Sequence, residues 1–159
     1  MPENRKPTIV LVDDEEMILT SIRTLLTLEA DYEIQVFTDP LEAAKYLALN
    51  EVHVTVSDYL MPGMTGIQLL AESKRLQPEA TRVLLTGHAD KASAIKAINE
   101  VGLFQYLEKP WDNEQLLLVI QQGVERAQLL GELRLKISEL DTAHSTLKNT
   151  QARLLKAFL

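Results

Sequence analysis

Two acidic motifs end apolar runs on bare charge. In "TIVLVDDEE" Asp13 and Asp14 follow the run, and in "VSDYLMPGMTG" Asp58 precedes a Pro-Gly turn. Two more polar residues close similar runs: Thr86 ends "RVLLT" and Lys109 ends "FQYLEK". Carboxylates brought close together repel and raise one another's pKa. A hard divalent cation relieves that repulsion, and an all-oxygen donor set that keeps some water suits Mg2+. A hydroxyl and an ammonium beside a metal-held carboxylate form a constellation for stabilising a phosphoryl group. Lysine suits this as a mobile point charge. An aspartate is ordinarily ionised at neutral pH and needs no general base to attack phosphorus. Gly87, directly after Thr86, would leave room for such a group.

Each of these residues also has a plainer role. An Asp beside Pro-Gly most commonly shapes a turn or caps a helix. The run Asp13 to Glu16 reads as an acidic first helical turn, a role assigned to Glu15 and Glu16. Lys109 taken alone is a surface lysine before a Pro that blocks the strand from continuing. The chemical reading requires the fold to bring all of them to one edge.

The elements around them predict that it does. Five short apolar runs, residues 8–12, 33–37, 53–57, 82–85 and 104–107, are too short for helices and rich in Val, Ile, Leu and aromatics. Between them "EMILTSIRTLLTLEA", "PLEAAKYLALN", "GIQLLAESKRL" and "DKASAIKAINEVG" carry apolar residues at steps of three and four. Pro40 fits a first helical turn after Thr38-Asp39, and Gly102 fits a helix stop. Strand and helix repeated five times predict an α/β fold, a parallel sheet with helices on both faces. Strands buried on both faces read as continuously apolar, as "TIVLV" and "RVLL" do. In the flavodoxin-like, doubly wound order 2-1-3-4-5, strands one and three are neighbours at the switch point where ligands bind. Asp13, Asp14 and Asp58 would then converge within a few ångströms.

The last helix is expected to start near Trp111 or Asp112 and to run on without a stop. From Leu130 a heptad stripe follows: Leu130, Leu133, Ile137, Leu140, His144, Leu147, Gln151, Leu154 and Phe158. Leu at every d position predicts a parallel two-stranded coiled coil and a homodimer, with Lys136 and Asp141 as an opposite-charge g-to-e pair. The alternative is a single amphipathic helix folded back on the body, but the stripe is narrower than the face of a core helix. The expected organisation is residues 1–123 as a compact domain and 124–159 as an extended helix. The chain ends in mid-heptad at "QARLLKAFL", so an output domain is expected beyond it.

Composition sets the limits. The chain has 159 residues, 46% hydrophobic and 25% charged, enough for one self-sufficient core plus an extension. With no cysteine, disulfides and thiolate metal sites are excluded. No stretch has signal-peptide or transmembrane character, so a cytoplasmic protein with no membrane contact is expected. From Val124 onward six Lys/Arg face four Asp/Glu, a net of +2, so the overall −7 leaves −9 on residues 1–123. An acidic body disfavours direct nucleic-acid binding.

Taken together, the acidic pair, "DYLMPGMTG", "TG" after the fourth strand and "KPW" after the fifth resemble a response-regulator receiver domain of two-component signalling. The order and spacing hold from residue 8 to about 123. The resemblance implies phosphotransfer to Asp58 from a histidine kinase or phosphotransfer protein. It implies that Asp14, Asp58 and the backbone carbonyl of Leu60 bind Mg2+ directly, with Asp13 acting partly through water. Thr86 and Lys109 would hold the phosphate, Tyr106 falls on the switch-aromatic position, and Lys109-Pro110 on a cis peptide. The family is a phosphorylated signalling module with slow autodephosphorylation rather than an enzyme. "LKNTQARLL" resembles a helix preceding the phosphoacceptor histidine of some sensor kinases; a cyclase or a phosphodiesterase output fits nearly as well.

Other readings compete. A haloacid-dehalogenase-type phosphatase needs a second acid two residues after its nucleophile, where this chain has Leu60. A nucleotide-binding fold would show GxGxxG or a P-loop, and neither occurs. A structural dimer with an idle acidic site remains the main alternative. Trp111 reads as a packing anchor, His53 as structural, His88 as an exposed loop residue near the phosphate, and His144 as a register-setting polar residue.

Overall fold

The computed structural model describes residues 5–158, apart from the His88 side chain. The chain alternates β1 (Thr8–Val12), α1 (Glu16–Glu29), β2 (Glu33–Phe37), α2 (Pro40–Leu49), β3 (Val54–Asp58), α3 (Gly66–Leu76), β4 (Thr81–Thr86), α4 (Lys91–Val101), β5 (Gln105–Glu108) and α5 (Asn113–Phe158). A single 3-10 turn at His88–Asp90 precedes α4. All strand pairs are parallel and the sheet order is β2-β1-β3-β4-β5. This is the doubly wound order expected from the sequence.

Both faces of the sheet are covered, and the central strands β1, β3 and β4 are buried along almost their whole length. Along β1, Ile9 and Leu11 turn to one face and Val10 and Val12 to the other. On the first face Val54, Val56, Val83, Leu85 and Leu107 join them against α1 and α5. On the second face β1 packs against α2 and Leu69 of α3, while Leu84 packs against Leu70 of α3 and Ala94, Ala97 and Val101 of α4. Each fully buried Leu or Ile contributes about 1.5–3 kcal/mol relative to exposure.

Local signals set the helix ends. The Asp39 carboxylate accepts from the Leu41 N–H, with Pro40 in the first turn. Thr65 and Gln68 form a reciprocal capping box at the start of α3. Gly102 takes a left-handed φ of +64° and stops α4. Asp112 accepts from the Glu114 N–H at 2.9 Å, and α5 begins at Asn113.

The strand limits differ from the sequence reading by a residue or so, for physical reasons. β4 runs from Thr81 to Thr86, one residue beyond the expected run at each end, and Arg82 within it is 3% exposed. Its guanidinium donates to the carbonyls of Ala80 (2.9 Å), Gly102 (3.2 Å) and Gln77 (3.4 Å), which offsets its burial. β3 starts at Val54 instead of His53. The His53 Nδ1 accepts from the Thr8 N–H at 3.0 Å, the structural role expected for it.

The first compact unit extends to Ala127, beyond the expected limit at residue 123, because Val124 and Ala127 still belong to the buried face of α5. The second unit begins at Gln128. Within it Leu133, Ile137, Leu140, Leu147, Leu154 and Phe158 are exposed in the single chain. His144 and Gln151 are exposed on the same stripe, and Leu130 is half-buried. Among the described residues no helix is long and apolar enough to cross a membrane.

Candidate functional site

The parallel register builds the site. Val12 pairs with Ser57, so the residues that follow, Asp13 and Asp58, lie side by side at the C-terminal ends of β1 and β3. One carboxylate oxygen from each of Asp13, Asp14 and Asp58 can be chosen so that all lie within 4.8 Å of one another. Asp13 and Asp58 are buried and Asp14 is exposed. Two unit charges at that separation repel by about 3.5 kcal/mol at an effective dielectric of about 20.

Lys109 answers part of this charge. Its Nζ lies 2.9 Å from Asp58 Oδ1 and 3.3 Å from Asp13 Oδ2. The Lys109 N–H donates to the Thr86 carbonyl at 2.8 Å, tying the ends of β4 and β5 together. Burial pulls the Lys109 ammonium down, but its hydrogen bond to Asp58 and the charges of both aspartates outweigh this, so its pKa is raised. Asp13 is pushed up to about 6, first by burial and further by the Asp58 charge. The Glu15 N–H, which donates to Asp13 Oδ1 at 2.9 Å, and Lys109 work against that rise. The local balance of three carboxylates against one ammonium is that of a cation site.

The donor chemistry fits Mg2+. All available ligand atoms are hard oxygens. Both Asp13 oxygens already have donors, one from Glu15 and one from Lys109, which suits contact through water. Asp14 and Asp58 remain for direct contact. Leu60, whose backbone carbonyl the resemblance adds to this set, lies in the loop after β3 with its side chain exposed. The Thr86 hydroxyl is fully buried and has no hydrogen-bond partner among the described residues. Leaving such a group unpaired costs about 1–3 kcal/mol, and an incoming phosphoryl oxygen would satisfy it. At Gly87 a Cβ would meet only Asp90 Oδ2 at 3.6 Å, so packing does not demand glycine there.

The other residues singled out in the sequence fall as follows. Lys109-Pro110 is cis. Tyr106 pairs with Leu84 and is half-buried against the cluster of Leu70, Leu84, Ala94 and Val101. Trp111 packs against the core cluster on the α1 and α5 face. The His88 side chain lies outside the described residues. Sequence reasoning missed Ser57 and Gly66, both of which touch the Asp58 carbonyl. A glycine at a helix start was the only available signal.

Comparison with known proteins is consistent along the body. The family model described as "Response regulator receiver domain" matches residues 9–121. The hydrogenase transcriptional regulatory protein HoxA of Cupriavidus necator is 30% identical over 152 residues, covering 96% of this chain and 31% of HoxA. The chain thus spans about a third of that curated relative. A crystal structure of the signal receiver domain of an HD domain-containing protein from Pseudomonas fluorescens Pf-5 superposes with a TM-score of 0.73 and 40% identity, covering 78% of this chain and 98% of that one. A structure titled adenylate cyclase from Rhodopirellula baltica gives 0.78 at 25% identity, covering 84% and 98%.

Proposed function

This chain belongs to the response-regulator receiver family, and from that premise we propose that Asp58 accepts a phosphoryl group from the phosphohistidine of a partner kinase or phosphotransfer protein. The observation that carries the assignment is the Lys109 ammonium 2.9 Å from the Asp58 carboxylate, beside two further aspartates. An Asp58 oxygen forms the new bond to phosphorus as the bond to the donor imidazole nitrogen breaks. Lys109 neutralises charge on the transferring group, and the unpaired Thr86 hydroxyl donates to one of its oxygens. Asp14, Asp58 and the Leu60 carbonyl would hold Mg2+ directly and Asp13 through water; when bound, Mg2+ supplies charge neutralisation for the phosphoryl oxygens. The direct test is intact mass after incubation with Mg2+ and acetyl phosphate: wild type gains one phosphate and Asp58→Asn gains none. Labelling of Asp58→Asn to the wild-type extent refutes the assignment.

The rest of the proposal concerns transmission. Phosphorylation adds about −1.5 to −2 charge at Asp58. Thr86 and Lys109 close on the new group, and Tyr106 moves inward against the α4 cluster. The exposed heptad stripe pairs with a second copy as a parallel coiled coil, and the repacking alters that pairing to drive an output domain. Within one helix Lys136 Nζ is 3.5 Å from Glu139 Oε2, so an interchain pair with Asp141 exchanges for it rather than adding to it. Beryllofluoride in place of phosphate should shift dimer affinity or tail cross-linking. An unchanged dimer removes the coupling while leaving the acceptor assignment intact.

A further inference from the structure

The acceptor's own backbone is gripped from two sides. On one side the buried Ser57 hydroxyl donates to the Asp58 carbonyl oxygen at 3.0 Å and lies 4.0 Å from the Met61 sulfur. On the other side is Gly66, the first residue of α3. A Cβ built on Gly66 would overlap the Asp58 carbonyl oxygen outright, and would lie 2.9 Å from its carbonyl carbon and 3.0 Å from Leu84 Cδ1. No larger residue permits that approach without moving the acceptor.

The same loop contains a contrasting glycine. Gly63 has a left-handed φ of +87° and nothing within 4 Å of a built Cβ, so it serves the turn. Gly66 is outside the left-handed region and serves proximity. Its N–H donates to the Tyr59 carbonyl at 2.8 Å, and the Tyr59 N–H donates to Leu85 of β4 at 2.9 Å. The Thr65 and Gln68 capping box holds the first turn of α3 in place. The peptide after Asp58 is therefore fastened both to α3 and to the neighbouring strand.

We propose that Gly66 and Ser57 are positioning residues that set the Asp58 carboxylate against Asp13, Asp14 and Lys109 by clamping its carbonyl. This rests on Asp58 being the acceptor. Relieving the overlap from a Gly66 Cβ requires a shift of about 1 Å, enough to break a 2.9 Å contact to Lys109. A misplacement of that size costs about a hundredfold in rate, and cation ligands tolerate only about 0.2 Å.

The test uses the full chain with acetyl phosphate for the labelling rate, and Mg2+ titration followed through Trp111, the single tryptophan. Gly66→Ala should label about a hundredfold more slowly and bind Mg2+ about tenfold more weakly. Ser57→Ala, which removes the hydroxyl without adding volume, should slow labelling by about threefold to tenfold. Gly63→Ala should lower the thermal midpoint through backbone strain yet label at the wild-type rate. If Gly66→Ala labels within about twofold of wild type, the clamp is refuted. Should Gly66→Ala fail to fold, an unchanged rate in Ser57→Ala refutes it instead. Labelling of Asp58→Asn would overturn the acceptor assignment, a different result from either.

Discussion

Asp13→Asn should make the metal-free protein more stable at neutral pH. The Asp13 carboxyl is raised from an ordinary 3.8 to about 6 in the folded chain, chiefly by burial. Between those values the folded state holds a proton that the unfolded state has lost. Stability therefore falls as pH rises through this window, and the loss is complete above about pH 6. At about 1.4 kcal/mol per pH unit, the interval corresponds to on the order of 3 kcal/mol. Asn keeps an oxygen for the Glu15 N–H but carries no charge to desolvate. It also gives up the 3.3 Å contact to Lys109, which reduces the gain to about 1–3 kcal/mol. For a unit of this size that is roughly 4–12 °C in thermal midpoint. The assay is thermal unfolding followed by circular dichroism in EDTA from pH 4 to pH 8, repeated with Mg2+. The Asn variant should match wild type near pH 4 and exceed it at pH 7.5. Mg2+ should narrow or reverse the difference, since ligand binding stabilises the wild type more. A variant no more stable than wild type at pH 7.5, or a difference independent of pH, refutes the account of Asp13 as a desolvated carboxylate awaiting a cation.

Other substitutions separate chemistry from packing. Thr86→Val removes a buried, unpaired hydroxyl, so stability should hold or rise by about 1 kcal/mol, while labelling by acetyl phosphate slows about tenfold or more. Lys109→Met withdraws the ammonium bonded to Asp58 and Asp13, so Mg2+ affinity by calorimetry should rise about tenfold, as phosphoryl transfer falls. Leu140→Asp on the exposed stripe should abolish dimers in sedimentation while moving the unfolding of the body by less than about 0.5 kcal/mol. Gly123→Ala would bring a Cβ to 3.0 Å from Thr81 Cγ2 and 3.3 Å from Val54 Cγ2, and should cost about 1–3 kcal/mol in denaturant unfolding.

Periodicity made β1, β2, α2 and α3 legible almost to the residue, because a two-faced core favours a continuously apolar central strand such as β1, a half-buried edge strand such as β2 alternates, and helices show one apolar stripe. Pro40, Gly102 and Asp39 marked helix ends through local backbone chemistry alone. The acidic pair, Asp58, Thr86 and Lys109 were legible for a related reason: a polar residue closing a buried strand is costly unless it has work to do. Their meeting at one edge required only the strand order. Contacts between distant segments were not legible. Arg82 is buried because three carbonyls from two loops happen to reach it, and nothing in "TRVLL" announces them. Thr81 donates to the Gly123 carbonyl at 2.7 Å, a fit set by where α5 crosses the sheet. The press of Gly66, from the start of α3, on the Asp58 carbonyl belongs to the same class. Local pattern encodes which face of each element is apolar and which residues end strands. Sub-ångström placement of a carboxylate depends on which atoms from other elements press against its backbone, and only the assembled packing decides that.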